Sequence, residues 1–233
     1  MKFETTIQTV IQRTPNVISL RFPRQNDLDY KAGQFFVITL RKDGKEITHH
    51  FSFSSSPTTP EYIEFTKKLT DSEFSTALKA AKPGNWARID APYGKFTFEG
   101  EYPKIALLGG GIGITPFISM CQYAGDNGLI SKIMLFYACR TEEDVVFREE
   151  FEELTKRNPN FKRKYVLSQP SPDWTGATGY ITADMVKQTL PDYADYVFFS
   201  CGPPPMVKAM QNLVTELGLP KEQLKIEYFT GYK

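Results

Sequence analysis

Near residue 103 the hydrophobic pattern of this 233-residue chain changes period, and that change restricts its fold more than any other feature. Before it, apolar residues alternate over short runs. Residues 17–22 place Ile18, Leu20 and Phe22 on one face, and residues 35–40 are β-branched and aromatic after the Ala32-Gly33 turn. Residues 48–53, 62–67 and 86–90 are further short runs, punctuated by Gly44, Pro57, Pro60, Pro83-Gly84 and Pro92. With one helical stretch at 75–81, this half predicts a small antiparallel six-stranded β-barrel. After Pro103, strands at 105–108, 133–137, 164–167, 196–200 and 224–228 alternate with helices at 116–124, 147–156, 183–190 and 205–217. Such alternation predicts a parallel sheet covered by helices on both faces. The expected domains are residues 1–101 and 102–233.

The loop after the first of these strands reads Gly109-Gly110-Gly111-Ile112-Gly113-Ile114-Thr115-Pro116. At the carboxyl end of a parallel strand and the start of a helix, backbone N–H groups and the helix dipole receive a pyrophosphate, and side chains there would block its approach. Pro116 suits the first helical turn. A tight strand-to-helix turn would use the same glycines without any ligand. A second such junction, Cys201-Gly202-Pro203-Pro204-Pro205-Met206, follows the strand at 196–200. In isolation Cys201 reads equally as a small core residue.

Composition removes several classes of function. Lys and Arg number 28 against 27 Asp and Glu, so no field of one sign steers nucleic acid or an anionic membrane. Three cysteines make neither a disulfide scaffold nor the roughly four thiolates of an iron–sulfur cluster. His49 and His50 have no companion ligands, so no metal site is expected. No apolar run reaches the roughly 20 residues of a membrane span, and Met1-Lys2-Phe3-Glu4 lacks a signal-peptide core. The expectation is a soluble cytoplasmic protein without membrane insertion, as a monomer or weak homo-oligomer. Aromatic residues, 14% of the chain, suit either a core or a flat ring cofactor.

With His49-His50-Phe51-Ser52-Phe53-Ser54-Ser55-Ser56-Pro57 upstream and Glu227-Tyr228-Phe229 near the end, the order and spacing of these segments resemble the ferredoxin–NADP reductase superfamily over nearly the whole chain. The resemblance implies a flavin-binding barrel followed by a Rossmann-like nucleotide-binding domain, with FAD rather than FMN and NADH or NADPH as hydride donor. It places Phe51 where the family has a tyrosine stacked on the flavin, and Ser52 where a serine hydroxyl bonds the flavin's redox-active nitrogen. His49 replaces the phosphate-binding arginine, so Lys67 or Lys68 is expected to share that task. Ser75 keeps the serine of the downstream phosphate loop, where it would also cap a helix, while Ser72 replaces its glycine. Gly110, Gly111, Gly113, Thr115 and Pro116 fall at the pyrophosphate loop, and Gly202 and Pro203 at the second junction. Cys201 falls at a cysteine beside the reactive nicotinamide carbon, with a positioning role. Glu227 and Phe229 fall at the terminal acid that relays a proton and the aromatic that shields the flavin. Four residues follow Phe229, unlike the plant-type enzymes.

Beyond the second parallel strand, Arg140-Thr141-Glu142-Glu143-Asp144 stands where relatives read the adenosine ribose. The three consecutive acids Glu142, Glu143 and Asp144 would repel an extra phosphate and Glu142 or Glu143 would accept from ribose hydroxyls, which favours NADH, and Phe147 replaces a phosphate-binding tyrosine. Arg140 and Arg148 argue for NADPH, and the acids would equally favour the amino terminus of the next helix. The implied activity is hydride transfer from NAD(P)H to FAD, then electron transfer to a separate ferredoxin-like or flavodoxin-like carrier. The alternatives are a reductase of free flavin or ferric chelates, and a nucleotide-binding regulatory subunit of a larger redox complex.

Overall fold

The computed structural model describes residues 1–229; the four residues beyond Phe229 noted above lie outside them. Two antiparallel sheets form the first half. β1 (Lys2–Thr6), β7 (Trp86–Tyr93), β4 (Phe35–Lys42) and β5 (Lys45–Ser52) neighbour one another in that order, and β2 (Thr9–Thr14), β3 (Val17–Pro23) and β6 (Tyr62–Lys68) form the other sheet. Their inward faces enclose a core that includes Leu20, Phe22, Phe36, Ile38, Phe53, Ile63, Phe65 and Ile89. The barrel therefore has seven strands, not six. Phe3 is the only apolar residue of β1, and its pairing with β7 leaves little hydrophobic pattern to read. β2 is likewise mostly half-buried.

α1 (Glu73–Lys79) starts two residues before its expected position. Its cap is Ser72, whose Oγ accepts from the Ser75 amide at 3.2 Å. The expectation that Ser75 caps the helix is thereby corrected: Ser75 lies inside the first turn, where its Oγ accepts from the Thr70 amide at 3.0 Å.

The second half is one six-stranded parallel sheet ordered β11-β10-β9-β8-β12-β13, with β8 spanning Lys104–Gly110, β9 Lys132–Cys139, β10 Phe161–Leu167, β11 Ala177–Thr178, β12 Val197–Gly202 and β13 Leu224–Tyr228. α2 (Thr115–Asp126) and α3 (Arg148–Arg157) cover one face through Phe117, Ile118, Phe151 and Leu154. α4 (Ala183–Thr189) and α5 (Pro204–Glu216) cover the other through Val186, Met210 and Leu213. The chain runs outward from β8 to β9 and β10, then returns to place β12 on β8's other side. That reversal opens a crevice beyond the carboxyl ends of β8 and β12. On the α2 face, Val17, Ala32, Phe96 and Phe98 join the same core as Ile105, Phe117 and Phe199, so apolar burial is continuous across the two halves.

Candidate functional site

Both expected glycine junctions meet at this reversal. The residues after β8 form a 3-10 turn, Gly111–Ile114, that runs directly into α2. A Cβ on Gly113 would lie 2.3 Å from the carbonyl oxygen of Cys201, and one on Gly110 would lie 2.4 Å from Met206 Sδ. Gly113 thus allows the loop to pass against the end of β12. Gly202, at φ 138°, takes a backbone conformation that side chains disfavour, and Pro203 then stands just before the 13-residue α5. Thr115 Oγ1 donates to the Ile112 carbonyl at 3.3 Å, and Pro116 is buried in the first turn of α2.

A cavity of about 490 Å³ opens beside this loop. Gly111, Ile112, Arg140 and Met206 line it together with Asp144, Val146, Ser168 and Tyr180, and the barrel contributes Asn16, Val17 and Lys68. Tyr180 is 77% exposed, so its ring face is open to a planar ligand. The donors at the loop, the lysine and arginine, and the open space at Gly111, where a Cβ would meet nothing within 4 Å, fit the pyrophosphate and adenosine of a dinucleotide.

Of the three acids, only Asp144 is on this lining, not the Glu142 or Glu143 expected at the ribose. Glu142 turns away to accept from the Ser171 amide at 3.1 Å and from Ser171 Oγ at 2.6 Å, and these bonds hold its carboxyl below the usual carboxylate range. Glu143 is exposed and also outside the lining. Asp144 faces the cavity while accepting from Thr141 N and Oγ1 at 3.2 and 3.1 Å, which completes a capping box. Arg140 is oriented by Gln169, whose Oε1 accepts from Nε at 2.7 Å, and Arg148 Nε reaches Glu152 at 3.3 Å.

A second crevice, about 200 Å³, lies where β5 approaches β13, lined by Phe35, His50, Phe51, Ser52, Glu227, Tyr228 and Phe229. It has room for a ring system but not for a whole dinucleotide. In β7 the register against β4 shifts around Ala91-Pro92, setting Tyr93 opposite Phe35 with ring centroids 5.8 Å apart. Phe51 is largely inside the barrel, its ring 4.6 Å from Phe65 and 4.8 Å from His49 at near-parallel angles. The alternation of β5 instead directs His50 and Ser52 to the crevice side, where the His50 and Phe35 rings lie 5.6 Å apart. His49 stacks inward, edge-on to Phe74 in the first turn of α1 at 5.6 Å, which brings it to the helix carrying Ser75. Aromatic walls, a serine hydroxyl and a half-buried carboxylate fit the polar and apolar edges of a flavin ring.

Lys67 and Lys68 separate by strand parity. Lys67 is buried, donates from Nζ to the Lys68 carbonyl at 3.0 Å, and has its pKa lowered to about 8 by burial. Lys68 is the one that faces the nucleotide cavity. Cys201 is also fully buried: its Sγ donates to the Gly113 carbonyl at 2.9 Å, behind the glycine loop, and burial pushes its pKa well up. It shares a core cluster with Phe229, whose amide donates to the Gly202 carbonyl at 2.9 Å. Glu227 sits beside Cys201 in the sheet register, and burial raises its pKa to about 7. Its carboxylate borders both the flavin-side crevice and a groove of about 570 Å³ lined by Lys95, Tyr102 and Lys225.

Sequence reasoning passed over Asn16, Phe35, Ser168, Tyr180 and Met206. Tyr180 had a local signal, an aromatic directly after Gly179 in a polar loop beyond a parallel strand. Asn16 had none, because it reaches the cavity from the other half of the chain.

Fold and site together define an architecture of the flavoprotein oxidoreductase kind, an antiparallel barrel beside a parallel sheet with two cavities along their seam. A model described as oxidoreductase FAD-binding domain matches residues 3–98, and one described as oxidoreductase NAD-binding domain matches residues 107–212. The chain belongs to the ferredoxin–NADP reductase family, with FAD and NADH or NADPH as its cofactors. It is 33% identical over 221 residues to an NADH-cytochrome b5 reductase 1 of Aspergillus terreus, covering 88% of this chain and 74% of that one. It is 30% identical over 229 residues to the glycine betaine monooxygenase reductase subunit of Chromohalobacter salexigens, covering 94% of this chain and 62% of that longer protein. The cytochrome b5 reductase domain of Ulva prolifera nitrate reductase superposes with a TM-score of 0.85 at 24% identity, covering 98% of this chain and 97% of that domain, and so shares the fold. Among the described residues no helix is long and apolar enough to cross a membrane.

Proposed function

We propose that this chain is an NADH-dependent flavoprotein reductase that moves a hydride from the nicotinamide to FAD and passes electrons to a separate ferredoxin-like or flavodoxin-like carrier. In this reading residues 1–101 hold FAD and residues 102–233 hold the nucleotide. The observation that carries it is the convergence of two unlike sites on one seam: a glycine-lined dinucleotide cavity and an aromatic crevice, with the Gly202–Phe229 hydrogen bond between them. FAD supplies two-electron acceptance and one-electron release. The chain supplies position and charge. Backbone amides of residues 111–113 and the side chains of Lys68 and Arg140 hold the pyrophosphate and ribose. Ser52 Oγ orients the flavin edge, and Cys201 fixes the loop carbonyl behind it. Phe229, on the wall of the crevice, would shield a flavin ring held there. Glu227, protonated below about pH 7, holds the proton that the reduced flavin or its acceptor needs.

NADH is favoured over NADPH because Asp144 faces the cavity and would repel a phosphate on the ribose. A separate protein acceptor is supported by relatives named as reductase components of monooxygenases and as NADH-cytochrome b5 reductases. A reductase of free flavin or ferric chelates is the second reading, favoured by His49 standing where a phosphate-binding arginine is expected. Stopped-flow absorbance of the purified holoprotein tests the proposal. Rapid bleaching of bound flavin by NADH, slower with NADPH, is expected; no bleaching by either nucleotide overturns it. A colourless protein that reduces only added flavin establishes the second reading.

A further inference from the structure

Arg13, near the end of β2, bonds within the barrel through Nε and Nη2 and crosses to the other half through Nη1. Nε donates to Ser19 Oγ at 2.9 Å, and Nη2 donates to both oxygens of Glu64 at 3.1 and 2.9 Å. Nη1 crosses to Glu150 Oε1 at 2.5 Å, in the first turn of α3. The guanidinium also lies 4.8 Å from the ring centroid of Phe147, whose backbone sits at φ 61°. That is a costly conformation for a bulky residue, and it persists only where its surroundings over-determine it.

Compensating Glu64 does not require this arginine. Arg21 Nε already reaches the same carboxylate at 2.8 Å and Ser54 Oγ donates to it at 2.9 Å. What Arg13 adds is the crossing to Glu150 and Phe147. Three and four residues along the chain, Asn16 and Val17 enter the nucleotide cavity from the barrel, with Lys68; just ahead of Phe147, Asp144 and Val146 enter it from the other half.

We propose that Arg13 is a positioning residue for nucleotide capture, setting the spacing between the barrel's share of the cavity wall (Asn16, Val17, Lys68) and that of the parallel-sheet half (Asp144, Val146). The proposal rests on reading this cavity as the dinucleotide site. A lysine keeps the charge but loses the fork that engages Glu64 and Glu150 together and the flat face over Phe147.

The test uses the full-length holoprotein, with calorimetric titration of NAD⁺ and AMP into the parent, Arg13→Lys and Glu150→Gln. Arg13→Lys is expected to keep its FAD absorbance while its Kd for NAD⁺ and for AMP rises about tenfold. Glu150→Gln, which leaves Glu64 fully paired, is expected to raise both about threefold. In turnover, KM for NADH rises and kcat at saturation stays within about twofold. NAD⁺ and AMP affinities within about twofold of the parent in either variant overturn the positioning role. Should Arg13→Lys fail to fold, the Glu150→Gln result decides alone. A parent protein that binds neither NAD⁺ nor AMP takes down the reading of the cavity itself, an outcome distinct from a variant that binds normally.

Discussion

At the scale of single residues, the site depends on which way each side chain points from a strand that the sequence locates well. Phe51 and Ser52 are neighbours, yet Phe51 packs against Phe65 while Ser52 meets the crevice. Glu142 and Asp144 are two residues apart, and only Asp144 lines the nucleotide cavity. Asp144→Asn keeps the hydrogen-bond geometry of the capping box and removes the charge. It should therefore raise the NADPH/NADH ratio of kcat/KM about tenfold, whereas Glu142→Gln should leave the ratio within about twofold; steady-state kinetics with both nucleotides checks this. Glu227 carries a pH signature. Its folded pKa, about 7, lies above the ordinary 4.5, so the native state retains a proton that the unfolded chain loses between those values. Its contribution to stability is present below about pH 4.5 and is lost as pH rises through about 7. Glu227→Gln should flatten that slope in denaturant unfolding, and should remove the decline of kcat above about pH 7.

At the scale of elements, helix starts and strand ends do the positioning. Ser72→Ala removes the cap of α1, the helix whose first turn packs against His49. A loss of about 1 kcal/mol in unfolding free energy is expected, read by thermal or urea denaturation. The β8–α2 loop is less tolerant. The atom facing a Cβ on Gly113 is a backbone oxygen of the adjoining strand, so Gly113→Ala cannot be relieved by a side-chain rotation. It should cost roughly 2–4 kcal/mol and weaken NAD⁺ binding at least tenfold, measured by unfolding and calorimetry. Cys201, whose Sγ bonds to that same residue's carbonyl, acts through the loop.

At the scale of the whole molecule, the core on the α2 face is shared between barrel and sheet. Ser119 Oγ, on α2, also donates to the Ser55 carbonyl of the barrel at 2.7 Å in a buried setting. Burial that crosses the seam couples the halves, so calorimetry of the holoprotein should give one unfolding transition, raised by saturating NAD⁺. Two well-separated transitions would show that the halves are energetically independent.

The division into a barrel half and a parallel-sheet half was legible in the chain alone. Hydrophobic period distinguishes alternating strands from strand–helix repeats, and glycines at two strand ends mark tight strand-to-helix junctions, because both signals are carried by residues close together in the chain. The count of barrel strands escaped it, since β1 and β2 bury too little apolar surface to show a pattern. Tertiary structure alone decided which acid, which lysine and which aromatic face the cavities. Those choices turn on strand parity and on contacts between residues more than a hundred positions apart, such as Arg13 with Glu150. A side chain's direction reverses with a one-residue change of register, and no local composition records it.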